Sequence, residues 1–137
     1  MKTKTPNRPQ IEDQRQYKKV GRLRKPIADL IGMNPANIYI DDNHLKHILN
    51  RHKTELAKFG FTPKMFVDVV VNNFNRIYQG NGNALQLVIW NGNAKVTIVE
   101  INSALQKEFY EVKTAFLKPK RQLENVKLLW EKKVKGT

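Results

Sequence analysis

The stretch RIYQGNGNALQLVIWNGNAKVTIVEINSALQKEFYEVKTAF, residues Arg76–Phe116, sets the expected fold of this chain. Its segments RIYQ, ALQLVIW, AKVTIVEI and KEFYEVKTAF are rich in β-branched and aromatic residues, which favour strands. The linkers GNGN and NGN contain Asn-Gly, a strong hairpin signal because both central positions of that turn need positive φ. We therefore expect an antiparallel meander of about four strands over this range.

The residues before the meander show helical patterns. RKPIADLIG predicts a short helix that Gly32 ends in the left-handed conformation. Asp41–Asn43 offers an N-cap for a second helix, whose apolar residues recur on one face. Thr62, followed by Pro63, begins a third helix.

The order of these elements predicts the fold class. NIYI, Asn37–Ile40, is expected to form a short strand, and the residues after Pro119 an amphipathic C-terminal helix. We thus predict an α+β fold in which N-terminal helices pack on one face of the antiparallel meander. Residues 1–19 are expected to be a basic flexible arm, and residues 20–137 a single domain.

Charge is the strongest compositional signal. The 137 residues include 25 Lys and Arg against 12 Asp and Glu, a formal net charge of +13, which favours an acidic polymer such as nucleic acid as partner. The basic residues crowd at both ends of the chain. The absence of cysteine excludes disulfides and thiolate metal sites. No apolar run resembles a signal peptide or a membrane span, so we expect a soluble protein that acts in the cytoplasm of the producing or target cell, without a membrane partner.

All three histidines lie within HLKHILNRH. Helical spacing places His44, His47 and Arg51 on one flank of the second helix and His52 in its apolar stripe. A structural alternative for His52 is burial against a backbone carbonyl, and for the other two histidines simple exposure. Arg51 and Lys53 nearby favour an anionic substrate, and both structural alternatives remain open. A zinc site is a further alternative, weakened because no HExxH arrangement is present.

This inventory suits metal-free cleavage of RNA, with no cofactor. The substrate supplies its 2′-hydroxyl as nucleophile, so the protein needs a base, an acid, and donors to the phosphate charge. Strand alternation in EFYEVKTAF is expected to project Tyr110 and Thr114 toward the histidine helix, with Lys113 on the other face. Tyr110, Lys113 and Lys53 are candidate substrate contacts.

Two motifs support the same reading. HILNRH, His47–His52, and YEVKTAF, Tyr110–Phe116, fit the patterns HI-x-x-RH and Y-x-V-K-T-A-F. The chain from about Ile38 to Phe116 thereby resembles the barnase/EndoU/colicin/RelE-like (BECR) ribonuclease superfamily, in particular its phage-associated and bacterial toxin branches. The resemblance implies a small, basic, metal-independent ribonuclease, with tRNA among its candidate targets.

The resemblance also implies roles for individual residues. His47 and His52 would be the acid–base pair, with His44 as a third candidate catalytic group. Arg51 would contact the phosphate and Thr114 would supply a hydroxyl to it. A toxin of this kind would have an acidic immunity or antitoxin protein as partner. The alternative function, from another class, is a non-catalytic basic nucleic-acid-binding protein.

Overall fold

The computed structural model describes residues 17–58, 60–103 and 109–133. These residues form seven strands, three α-helices and a short 3-10 helix. In chain order the elements are β1 (Tyr17–Leu23), α1 (Lys25–Ile31), β2 (Ala36–Asp41), α2 (Asp42–Ala57), α3 (Pro63–Asn73), β3 (Arg76–Gln79), β4 (Leu85–Ile89), β5 (Lys95–Ser103), β6 (Tyr110–Pro119), the 3-10 helix (Lys120–Leu123) and β7 (Leu128–Glu131).

All seven strands join one mixed sheet, in the order β1-β2-β6-β5-β4-β3-β7. Strands β3 to β6 form an antiparallel meander, whereas β2 pairs with β6 in parallel. The sheet is a half-barrel, and α1, which follows β1, contacts β7 from the opposite end of the strand order. The first helix and the last strand of the described chain therefore lie close together.

The predicted fold class, N-terminal helices packed on a four-strand antiparallel meander, is wrong. The meander is present, but two strands from the N-terminal part extend the sheet beyond β6 and make it mixed. Strand β1 begins at Tyr17, within the segment assigned to the arm, while residues 1–16 lie outside the described residues. A bulge after Lys19 interrupts the alternation of β1, so its buried residues do not recur at every second position.

The predicted C-terminal helix is also wrong. Lys120–Leu123 forms only a 3-10 helix, and Leu128–Glu131 forms β7, which pairs with the outer edge of β3. An unpaired strand edge offers a row of backbone donors and acceptors. Those hydrogen bonds outweigh the helical spacing of the apolar residues in this segment.

The local helix signals are confirmed. Gly32 adopts φ 72° after α1. Thr62 accepts a hydrogen bond from the Met65 backbone N–H at 3.2 Å, and Pro63 is the first residue of α3. Helix α3 then buries Phe66 completely, a contribution of about 1.5–3 kcal/mol for a side chain of this size.

The two faces of the sheet are covered differently. The helix face carries the main core, in which strand residues Leu87, Val99 and Ile101 pack with α3 and α2. The second face carries a smaller cluster that the 3-10 helix covers. Its buried members are Tyr78, Val88, Val96, Ile98 and Leu123.

Close packing between α3 and β1 predicts an effect of substituting Gly21. A Cβ at this position would overlap with Cγ1 of Val71, a buried β-branched side chain that has little freedom to move. We expect Gly21→Ala to lower the free energy of unfolding by about 1–3 kcal/mol, measured by urea denaturation. Gly92→Ala is the matched control, because a Cβ there meets no atom within 4 Å. Equal stability of the two variants would contradict this packing.

Candidate active site

Helix α2 carries the three histidines and begins at a side-chain cap. The Asp41 carboxylate accepts a hydrogen bond from the His44 backbone N–H at 2.7 Å. The same Oδ1 atom lies 2.8 Å from His44 Nδ1, and Asp41 is only 2% exposed. The His44 ring is therefore held at the helix start by the residue that caps the helix.

His52 lies on the buried stripe of α2, between the fully buried Ile48 and Leu56. Its own ring is half-buried, and no hydrogen bond from the described residues reaches it. The ring centroid is 6.2 Å from that of Phe116, with the planes inclined at 36°. The histidine thus faces β6 while part of its ring stays accessible, unlike an enclosed histidine bound to a carbonyl.

Burial and three charged neighbours set the protonation of His52. Burial makes the largest contribution and lowers the pKa of His52 below its ordinary value of 6.5. Glu55 opposes this shift, whereas His47 and Arg51 lower the pKa further. The neutral ring, which can accept a proton, is therefore favoured near neutral pH.

Glu55 also positions α2 against β6. Its Oε1 atom accepts a hydrogen bond from the Leu117 backbone N–H at 2.9 Å. Strand β2 pairs with β6 only at Tyr110 and Glu111, so the later part of β6 has an open edge on that side. The carboxylate binds this edge and holds His52, three residues earlier in the helix, beside β6.

A β-bulge in β6 decides where the predicted strand residues point. Val112 pairs with Ile101 and Thr114 with Glu100, so Lys113 is the extra residue. The alternation reverses there: Val112 and Ala115 lie in the main core, while Thr114 shares its face with Phe116. The expectation that Tyr110 and Thr114 both project toward the histidine helix is therefore wrong: Tyr110 lies in the main core on the helix face, whereas Thr114 lies on the other face.

Tyr110 is occupied by the fold. It is 3% exposed, and its hydroxyl donates a hydrogen bond to the Asn34 carbonyl at 2.6 Å. Burial raises the pKa of the Tyr110 phenol. The hydroxyl is therefore unavailable to a substrate, in contrast to the predicted substrate contact.

Thr114 faces a row of polar side chains that sequence reasoning did not identify. Glu100 lies directly opposite it on β5, and Gln86 lies opposite Glu100 on β4. Gln86 is 9% exposed, and its Oε1 atom has no hydrogen-bond partner among the described residues. The position of Glu100 inside the apolar run VTIVEI was the available signal, since lone carboxylates are rare in such strands.

Cationic groups border the same region. The Lys118 ammonium lies 5.8 Å from the centroid of Phe116, and Lys118 follows Phe116 and Thr114 on alternate positions of β6. His47 and Arg51 are exposed on α2. His52 therefore lies beside Phe116 at the open edge of β6, and Thr114 and Lys118 lie on the same face of this strand as Phe116.

The structure adds little about two other predicted substrate contacts. Lys113 is exposed in the bulge, away from the pairing with β5. Lys53 belongs to α2, but its side chain lies outside the described residues.

Within the described part of the chain, no group of three or more His, Asp or Glu side chains has a geometry that could hold a metal ion.

The chain was compared with protein families, with curated proteins and with solved structures, and no match was found. Among residues 17–58, 60–103 and 109–133, no helix is both long enough and apolar enough to cross a membrane.

The charges around His52 predict an order of pKa values. Glu55→Gln removes the group that raises the pKa of His52 but keeps an oxygen for the Leu117 N–H, so the pKa should fall. Arg51→Gln removes a positive charge, so the pKa should rise. NMR titration of the histidine ring protons measures both shifts. Glu124→Gln, an exposed change elsewhere, is the control, and a reversed order would contradict the assigned neighbours.

The Tyr110 hydroxyl predicts an effect on stability rather than on activity. Tyr110→Phe leaves the Asn34 carbonyl without its donor, which should lower the free energy of unfolding by about 1–3 kcal/mol. Urea denaturation gives this value. Unchanged stability of the variant would contradict this hydrogen bond.

Proposed function

We propose that this protein is a metal-independent endoribonuclease that cleaves by 2′-hydroxyl transesterification and leaves a 2′,3′-cyclic phosphate. The proposal depends on one observation: His52, whose pKa is lowered, lies beside Phe116 on the open edge of the strand that carries Thr114. A proton acceptor and a hydroxyl near cationic side chains are the groups that this reaction requires.

Each group has a distinct part in the proposed reaction. Neutral His52 would take the proton from the 2′-hydroxyl, whose oxygen attacks phosphorus while the bond to the 5′-oxygen breaks. The Thr114 hydroxyl and the Lys118 ammonium would stabilise the negative charge that develops on the phosphate. Arg51, exposed on the same helix as His52, would bind an adjacent phosphate.

The leaving 5′-oxygen needs a proton donor. His47 would supply it, because it is exposed on α2 and close enough to affect the pKa of His52. Glu100, opposite Thr114, is the alternative donor. His44 is held by the helix cap, so we assign it a positioning rather than a proton-transfer role.

The net charge of +13 supports RNA as the partner, because lysine and arginine bind the phosphate backbone through salt-sensitive contacts. A tRNA is the candidate target, and the cytoplasm of the producing or target cell the proposed place of action. An acidic immunity or antitoxin protein would complement the same charge and cover the region around His52.

Cleavage of tRNA by the purified protein tests the proposal. In EDTA the wild type should cut, while His52→Ala should cut at least about 100-fold more slowly, the usual contribution of an acid–base group. Thr114→Val should lower the rate by about 100-fold without loss of binding, as expected for one donor to the reacting phosphate. The rate should rise with pH through a pKa below 6.5, because the neutral form of His52 is required.

Matched variants separate the possible outcomes. Thr54→Val, an exposed change on the same helix, should retain the wild-type rate. Comparison of His47→Ala with Glu100→Gln identifies the proton donor, since only its loss should remove the alkaline limb of the pH profile. RNA with 2′-deoxyribose at the cleavage position should resist cutting. Binding without cleavage would instead establish a non-catalytic nucleic-acid-binding protein, and activity lost in EDTA a metal-dependent nuclease.

A further inference from the structure

A second cationic region lies where the two ends of the half-barrel meet. It is a pocket of about 490 Å³, a volume in the range of small-molecule sites. The pocket lies between β1 and α1 on one side and α3 and β7 on the other. Its lining residues are Arg22, Arg24, Ile27, Val71, Asn72, Asn73, Phe74, Trp130 and Lys132.

The pocket has three cations and no acidic lining residue. Arg22, Arg24 and Lys132 are all exposed, and Arg22 uses one donor on the Asn37 side-chain oxygen at 3.1 Å. A guanidinium has five donors, so most remain available. Three positive charges around one cavity repel each other, and a bound anion would offset that repulsion.

The acidic residues that are nearest in sequence bind other cations. Asp29 lies 2.9 Å from the Lys25 ammonium, and Glu131 lies 2.8 Å from the Arg76 guanidinium. Neither of these carboxylates lines the pocket. The pocket therefore presents its positive charge to an external ligand.

The remaining lining groups suit a planar ring with N–H donors. Trp130 and Phe74 form an edge-to-face pair, with centroids 5.7 Å apart, and both are half-buried. The Asn72 amide donates to two backbone carbonyls, and the Asn73 amide donates to one. Their side-chain oxygens remain as hydrogen-bond acceptors on residues that line the pocket.

We propose that this pocket binds a nucleotide, with its phosphate on Arg24 and Lys132 and its base against Trp130. Arginine and lysine bind phosphate through charge-assisted hydrogen bonds, and a base stacks favourably on an aromatic side chain such as an indole. An acidic peptide would satisfy the cations but would not use the aromatic wall. The nucleotide could be free or part of a nucleic-acid strand, since both present the same groups.

This site is separate from the histidines and goes beyond the proposed cleavage reaction. None of its lining residues belongs to α2 or β6. Because the ligand would bridge the first and last described elements, its binding should also raise the melting temperature. The basic residues near the two ends of the chain would then act together at one place.

Deoxynucleotides test the site independently of cleavage, because they lack the 2′-hydroxyl that the proposed reaction needs. Calorimetry on the full chain would measure the binding of four probes. These are 2′-deoxynucleoside 5′-monophosphates, a short single-stranded deoxyoligonucleotide, inorganic phosphate and a glutamate-rich peptide. Arg24→Gln combined with Lys132→Gln should weaken binding of the mononucleotides at least about tenfold. Lys18→Gln with Lys127→Gln is the control of equal charge, and it should change affinity less than about twofold, since neither residue lines the pocket.

The pattern across probes decides the proposal. Phosphate alone should bind at least about tenfold more weakly than the mononucleotides, because it lacks the base that stacks on Trp130. If the oligonucleotide binds more tightly than the mononucleotide, the ligand is part of a nucleic-acid strand. If the mononucleotide binds more tightly, the ligand is a free nucleotide. Three results would overturn the proposal. The two double variants would lose the same amount of affinity, phosphate would bind as tightly as the nucleotide, or the peptide would bind more tightly than the nucleotide. RNA cleavage is assayed in parallel, so that a failure of nucleotide binding at this pocket and a failure of the proposed cleavage reaction are observed separately.

Discussion

The arrangement of the candidate active site depends on how β6 is bonded along its two edges. On one edge it pairs with β5 over nearly its whole length. On the other edge it pairs with β2 at only two positions, and further along Glu55 accepts a hydrogen bond from the Leu117 N–H. Because β2 does not continue alongside β6, helix α2 takes its place. This exchange of a strand for a helix is what places His52 beside Phe116.

A single extra residue then decides which side chains meet at that edge. Without the bulge at Lys113, regular alternation would turn Thr114 into the main core with Val112. With it, Thr114 lies on the second face, opposite Glu100 and near Phe116. Bulges recur near active sites because they redirect side chains without breaking the sheet. Here the bulge also separates Tyr110, which is used in packing, from Thr114.

Cationic side chains lie at two places with different chemistry. Around β6, exposed cations accompany an imidazole with a lowered pKa, which suits a reaction at a phosphate. At the meeting of α1 and β7, cations accompany aromatic rings and lone amide oxygens, which suits binding. Two such regions on one small domain would hold a long anionic ligand at separate points. The ligand would then bind more tightly than at either region alone, because contact at one region raises its effective concentration at the other.

The sequence by itself determined the local structure. The caps at Asp41 and Thr62 and the left-handed Gly32 follow from side-chain chemistry and φ preferences that act over a few residues, and the four meander strands follow from their β-branched and aromatic residues. The lone Glu100 and the crowding of basic residues at both ends were also readable there. They could not be assigned to a place, because their partners lie far away in the chain.

Tertiary structure decided everything that depends on strand edges. The open edge of β3 recruits Leu128–Glu131 as a strand although its spacing suits a helix, and the parallel contact with β2 makes the sheet mixed. The bulge at Lys113 exists only in the register with β5, so the face of Thr114 could not be derived from alternation. Backbone hydrogen bonds between distant segments have no local sequence signature, whereas caps and turns do, and this difference separates what was predictable from what was not.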